Sequence, residues 1–276
     1  MRQRIRPLVC EVTLAVSAMA AGAGVAGAQV LDAQASMVSV GSAVTPAVEV
    51  ADSFYGAMDA PGAMDVLIAR LRAAPDDPEA TWRAARVALT LGILTEDRDA
   101  KLEWLRAATA YGERLLALDP DGAESLAWAA ATKGRLAMDA HNPVTTARLG
   151  REVWTLTEAL LALDPDHPLG NAIRGKLVQE VRRLSWGERL LARFLLGGDI
   201  TGAATWSDSE AYLERAVKGD PGMVVYHLDL GDTYRLQGKA EHAAEAYRRG
   251  LALQERLPVD AYYKRRIMDG VRALSR

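Results

Sequence analysis

The stretch from Pro221 to Leu253, PGMVVYHLDLGDTYRLQGKAEHAAEAYRRGLAL, has the pattern of two short helices folded against each other. Gly238 marks the turn between them, and small residues recur on both sides of it. We expect the two backbones to approach closely at the small residues, with tyrosine rings filling the space beside them. The predicted repeat-packing residues are Gly231, Tyr234, Ala243, Tyr247 and Gly250.

This spacing resembles the tetratricopeptide (TPR) repeat, a helix pair that recurs about every 34 residues. A helix pair of this kind cannot bury its apolar face alone, so neighbouring pairs must stack on it. The resemblance therefore implies further helix pairs in the rest of the chain.

Prolines divide the remaining sequence at regular intervals. Pro75, Pro120 and Pro165 are 45 residues apart, and Pro221 follows after 56. Because proline lacks a backbone donor, each should end one helix shortly before the next begins. Asn142-Pro143 and the capping-box pattern Ser207–Glu210 predict two helix starts. The predicted helices cover 48–58, 63–73, 78–94, 97–118, 122–140, 143–163, 168–183, 185–196, 207–219, 222–237, 240–254 and 259–274. The predicted fold is all-α, a TPR-like α-solenoid of about six antiparallel helix pairs.

A closer resemblance rests on several segments. Trp82–Arg86, Tyr111–Pro120 and Ala162–His167 resemble the regulator of microtubule dynamics family. Leu184–Gly198, LSWGERLLARFLLGG, is similar to an insertion that this family carries between two repeats. The match covers about residues 47–255, and it implies a helical-repeat fold.

The N-terminus has the features of an export signal. Three arginines precede an apolar run over residues 12–25, which Ala26-Gly27-Ala28 closes. This pattern predicts a cleaved secretory signal peptide, hence a periplasmic or secreted bacterial protein with no stable membrane span after cleavage. A mitochondrial presequence is the alternative. The predicted organisation is a signal peptide at 1–28, a flexible leader at 29–45 and a TPR-like helical repeat domain at 46–276.

Charge and cysteine content exclude some functions. The formal net charge is −3, and cleavage after Ala28, which removes three Arg and one Glu, would make it −5. A mildly acidic chain is not typical of nucleic-acid binding, so we predict no nucleic-acid partner. Cys10 is the only cysteine, and it would leave with the signal peptide. The mature chain would therefore have no disulfide and no cysteine ligand.

No motif predicts catalysis or a cofactor. The four histidines, at 141, 167, 227 and 242, include no pair at i and i+4, so we predict neither a metal nor a haem site. The glycine-rich segment 197–202 lacks the Lys-Ser/Thr that follows a phosphate-binding loop, which favours a helix connection. We predict no catalytic residues, no cofactor and no enzyme activity.

The strongest candidate contact surface is basic. Arg174, Arg182 and Arg189 surround Trp186 in sequence, and arginine can bind a carboxylate through two parallel hydrogen bonds. These four residues are the predicted partner-binding residues. The alternative is a solvated helix face whose arginine stems cover apolar surface. The other tryptophans should pack between helices, whereas Trp186 lies in the insertion.

Taken together, these features predict a non-enzymatic scaffold or adaptor that binds a protein or peptide partner in the cell envelope. An alternative is a periplasmic solute-binding accessory protein, similar to the TPR subunits that assist substrate-binding transporters. The C-terminal helix at 259–274 could cap the solenoid, which we favour, or fill its groove; an oligomer is possible through this end.

Overall fold

The computed structural model describes residues 46–275, with gaps at 187, 189–192, 195–199, 201 and 203. The described part is helical and contains no strand, which confirms the predicted all-α class. The predicted signal peptide and leader, and much of the predicted helix at 185–196, lie outside the described residues. The helices are α1 Pro46–Gly56, α2 Ala60–Ala73, α3 Pro78–Leu94, α4 Arg98–Leu118, α5 Ala123–Asp139, α6 Pro143–Leu163, α7 Pro168–Arg183, α8 Trp206–Gly219, α9 Val224–Leu236, α10 Ala240–Ala252 and α11 Asp260–Leu274.

The four regularly spaced prolines occupy equivalent turns. Each is the second residue of a four-residue turn in which the last amide donates to the first carbonyl at 3.2–3.4 Å. Proline suits this position because its fixed φ matches the turn. The turns are 74–77, 119–122, 164–167 and 220–223, and each connects one helix pair to the next.

Side-chain caps explain where several helices begin. Asn142 accepts hydrogen bonds from the amides of Val144 and Thr145, so the predicted start at Asn142-Pro143 is confirmed. The predicted capping box at Ser207–Glu210 is wrong, because the box forms two residues earlier, between Thr205 and Asp208. Each of these two side chains accepts from the other's backbone amide at 3.1 Å.

Five helix pairs follow one another in the described part: α1/α2, α3/α4, α5/α6, α7/α8 and α9/α10. Helix α11 packs against α9 and α10. The insertion lies between α7 and α8, which pack together as one pair, so it interrupts a pair and does not separate two pairs. Ser209 of α8 donates to the Gly175 carbonyl of α7 at 2.9 Å, and a Cβ on Gly175 would lie 2.7 Å from Leu213. Glycine at position 175 thus permits the close approach of α7 and α8.

The last pair shows how small and large residues share the space between helices. Gly231 on α9 faces the fully buried ring of Tyr247 on α10, where a Cβ would overlap the ring. Ala243 is also fully buried. Tyr234 is buried, and its hydroxyl donates to Glu214 of α8 at 2.7 Å. A Cβ on Gly250 would lie 2.7 Å from Ile267 of α11, so this glycine makes room for the C-terminal helix.

Candidate binding groove

Successive first helices of the pairs line a cavity of about 760 Å³, which we call the groove. Helices α3, α5, α7 and α9 contribute to it, together with α6 and α11. On α7 the lining residues recur at helical spacing along one face, so one stripe of the helix points inward. The aliphatic leucine, isoleucine and methionine side chains of the wall are Leu89, Ile93, Met138, Leu169, Ile173, Leu177, Leu184 and Leu228.

A polar cluster crosses this apolar wall between α7 and α9. Lys176 lies at its centre, and its Nζ is 2.9 Å from Asp229 Oδ1 and 3.2 Å from Glu180 Oε1. Nζ also donates to Gln179 Oε1 at 2.6 Å. Burial alone would lower the pKa of Lys176, but attraction to Asp229 and Glu180 outweighs it and raises that pKa. The lysine is therefore a charged side chain whose donors are engaged within the wall.

The carboxylates of the cluster also have partners of opposite charge. Burial raises the pKa of Asp229, and Lys176 counteracts that shift. Glu180 accepts two hydrogen bonds from Arg183 at 3.1 Å. Asp232 accepts from Arg235 at 3.2 Å and from the hydroxyl of Tyr247 at 2.6 Å. The polar cluster is thus charge-balanced, and it offers no large uncompensated charge to an occupant.

The C-terminal helix also lines the groove. Tyr262, Tyr263 and Arg266 of α11 belong to the groove lining. Burial raises the pKa of Tyr262, but a hydrogen bond from Arg266 and the charge of Arg135 of α5 outweigh it and lower that pKa. Leu257, just before α11, packs on the core formed by α1 to α4. Helix α11 therefore both packs on the last pair and closes one side of the groove.

Arg174, predicted to bind a partner, is an internal packing residue. Only 4% of it is exposed, and its guanidinium lies 3.9 Å from the centre of the Trp154 ring. Its Nε donates to Thr157 Oγ1 at 2.9 Å, and Nη2 donates to the Trp154 carbonyl at 2.8 Å. The prediction of a partner contact for Arg174 is therefore wrong, because its donors bind α6.

The other predicted contact residues lie nearer the surface. Arg182 is half-buried over Trp206, at 6.0 Å from the ring centre, and its buried Nε has no hydrogen-bond partner among the described residues. Trp186 is 78% exposed, whereas the other five tryptophans are half-buried. Its neighbours Leu184 and Glu188 line the groove, so Trp186 stands at the groove mouth. Arg189 lies outside the described residues.

The histidines take part in local structure. His167 caps α7 by accepting the Gly170 amide at 3.2 Å, and buried His227 contacts the Pro221 carbonyl through Nε2 at 2.9 Å. Within the described ranges, no group of three or more His, Cys, Asp or Glu side chains is placed to hold a metal ion. In those same ranges, no helix is long and apolar enough to cross a membrane.

Comparison with solved structures places the fold in a class. TTC0263, described as a thermophilic TPR protein of Thermus thermophilus, superimposes with a TM-score of 0.56 at 18% identity, covering 82% of this chain and 97% of that one. MamA aligns with a TM-score of 0.42 at 13% identity, covering 73% of this chain and 92% of that one. The likeness to TTC0263 shows that the fold is a TPR-like helical repeat.

The family is more specific than the class. Residues 47–275 match the family described as Regulator of microtubule dynamics protein 1-3, and the chain belongs to this family. The resemblance that the sequence predicted is confirmed. Comparison with curated protein sequences gave no match.

Proposed function

We propose that this protein is a non-enzymatic adaptor that binds a segment of a partner protein in the groove. The groove is the observation that carries the proposal, since successive first helices form a mainly apolar wall facing inward, which one charge-balanced polar cluster crosses. TPR-like solenoids present such concave surfaces for extended or helical segments.

The chemistry of the wall defines the segment that fits. Its apolar side chains favour a partner rich in aliphatic or aromatic residues. A charged residue placed against Lys176 or Asp229 would disturb ion pairs that are already balanced, and leaving either charge without its partner is costly. We therefore propose a mainly apolar, weakly charged segment.

The groove mouth extends this surface outward. Trp186 offers a large exposed ring, and aromatic anchors of this kind often dominate binding energies. We keep half-buried Arg182, which lies over Trp206, as the second contact residue on the basis of its place in the sequence. We include Arg189 as the third contact residue on the basis of its place in the sequence.

We also propose that the protein works in the cell envelope, because the first 28 residues have the charge and apolar pattern of a secretory signal. N-terminal sequencing of the protein from its source organism should show Gln29 as the first residue. Retention of Met1–Ala28 would contradict the proposed export.

A matched pair of substitutions tests binding in the groove. Ala131 lines the groove, whereas Ala110 is exposed on α4, so Ala131→Trp fills the groove and Ala110→Trp adds the same side chain outside it. The wild-type protein should capture the partner from envelope extract. Ala110→Trp should capture it equally well, whereas Ala131→Trp should not. Equal capture by both variants would contradict the proposal.

A solute-binding accessory protein is the second candidate. The cavity of about 760 Å³ lies within the range of roughly 300–1,000 Å³ that small-ligand pockets occupy, and α11 closes one side of it. Native mass spectrometry of protein purified from its source would distinguish the two functions. A small molecule bound to the wild-type protein but absent from Ala131→Trp would support the solute-binding function over the adaptor.

A further inference from the structure

We propose that the groove opens and closes at a seam between the C-terminal segment 257–263 and helices α1, α3 and α5. This inference rests on the proposed function, because a gate matters only if the groove takes an occupant. It adds a conformational change, in which the chain's own C-terminal helix moves to admit the occupant and then encloses it.

Three observations locate the seam. Leu257 packs on the core cluster of the N-terminal pairs. Arg135 of α5 lies close enough to Tyr262 of α11 for its charge to lower the pKa of the Tyr262 hydroxyl. Residues of α11 and of α3 line the same cavity, although they lie more than 160 residues apart in sequence. The two ends of the solenoid therefore meet, and the groove lies between them.

Polar groups beside the seam are satisfied on their own sides. Asp260 accepts the amides of Arg256 and Leu257 at 2.8 and 2.9 Å, within its own segment. The hydroxyl of Tyr55 on α1 is 2.8 Å from Thr90 Oγ1 on α3. These bonds would persist if the two sides separated, so opening leaves neither group unpaired.

Helix α11 is anchored far more firmly to the last pair. Ile267 is fully buried against Gly250, and a Cβ on Gly270 would lie 2.6 Å from the Tyr247 ring. Separating α11 from α9 and α10 would expose this packed face, whereas opening the seam exposes half-buried Leu257 and moves Tyr262 away from the charge of Arg135. The groove therefore opens at the seam, with α11 moving together with the last helix pair.

Distance measurements between spin labels test this gate. The chain from Gln29 has no native cysteine, so labels can be placed at two exposed sites, Ser53→Cys on α1 and Arg265→Cys on α11. A control pair, Ser53→Cys with Ala110→Cys, lies wholly on the N-terminal side. Double electron–electron resonance on the full chain from Gln29 then reports the closed distance and any longer one.

Tyr262→Phe removes the hydroxyl that lies beside the charge of Arg135 and keeps the ring. Because a polar contact with the charged Arg135 side chain is lost, we expect the open-to-closed ratio to rise about tenfold, with the control distance unchanged. Leu257→Ser should act in the same direction. An unchanged Ser53–Arg265 distribution in both variants would overturn the gate. The distance measurement needs no partner, so it can contradict the gate while capture experiments support binding in the groove. Capture experiments can likewise contradict binding while the distances support the gate.

Discussion

Gly250→Ala would place an alanine where TPR repeats prefer one, yet we expect it to destabilise this protein. A Cβ at Gly250 would lie 2.7 Å from Ile267 Cδ1 and 2.9 Å from His227 Cβ. The second contact involves an atom close to the backbone, which cannot move away by changing rotamer. The glycine therefore reflects the docking of α11 onto the last pair.

The magnitude follows from two opposing effects. Alanine is favoured over glycine in a helix interior by about 1 kcal/mol, while overpacking a filled core costs about 1–3 kcal/mol. With two contacts below 3 Å, we expect the overpacking to dominate and the free energy of unfolding to fall by about 1–2 kcal/mol. Gly134→Ala is the matched control, since its Cβ would meet Val153 at an ordinary 3.8 Å. That variant should gain about 0.5–1 kcal/mol.

Urea unfolding followed by helical circular dichroism measures both variants. Ile267→Val removes the atom nearest to the new methyl group and should cost about 1 kcal/mol alone. Combined with Gly250→Ala, it should cost less than the sum of the two single changes, because the two atoms no longer overlap. Equal stability changes for Gly250→Ala and Gly134→Ala, or strict additivity with Ile267→Val, would refute this reasoning.

Two further predictions concern charged and exposed residues. Arg174→Leu should lower the free energy of unfolding by about 3 kcal/mol, because it deprives Thr157 and the Trp154 carbonyl of a buried donor. Trp186→Ala removes an exposed side chain, so it should change that free energy by less than about 0.5 kcal/mol and instead weaken partner capture. Comparable losses of stability in the two variants would contradict this contrast. Lys176→Met leaves buried Asp229 without its cation, so that the folded-state pKa of Asp229 rises further above its unfolded value. The variant should then lose stability, relative to wild type, as the pH rises from about 4 to about 8, because the folded state must ionise that carboxyl. Adding Asp229→Asn to Lys176→Met should remove this additional pH dependence. If the free energy of unfolding plotted against pH runs parallel for Lys176→Met and wild type, the coupling between Lys176 and Asp229 is contradicted.

Local sequence signals predicted the helix boundaries well because they act within a few residues. The turn at Pro120, for example, needs only its own backbone and the preceding helix end. The start of α8 was misplaced by the same kind of reasoning, since Thr205 and Asp208 form a competing box. Glu210, the second member of the predicted box, instead accepts a hydrogen bond from Lys239 Nζ at 2.5 Å.

Tertiary placement could not be predicted in the same way. Arg174 and Arg182 look alike in the sequence, but Arg174 lies between α6 and α7, whereas Arg182 lies over Trp206 of α8. The insertion lies within a pair because α7 and α8 pack across it, which no local pattern indicates. The groove joins residues from α3 to α11, so its lining depends on how the pairs stack.

Site-specific crosslinking from inside the groove is the most direct test of the proposed adaptor function. A photoreactive amino acid at Leu177, on the apolar wall, should crosslink to a partner protein in cells of the source organism, and the same amino acid at exposed Ala110 should not. The Leu177 product should disappear when Ala131→Trp fills the groove. A crosslink from Ala110 alone, or a Leu177 product that persists in the filled variant, would contradict binding in the groove.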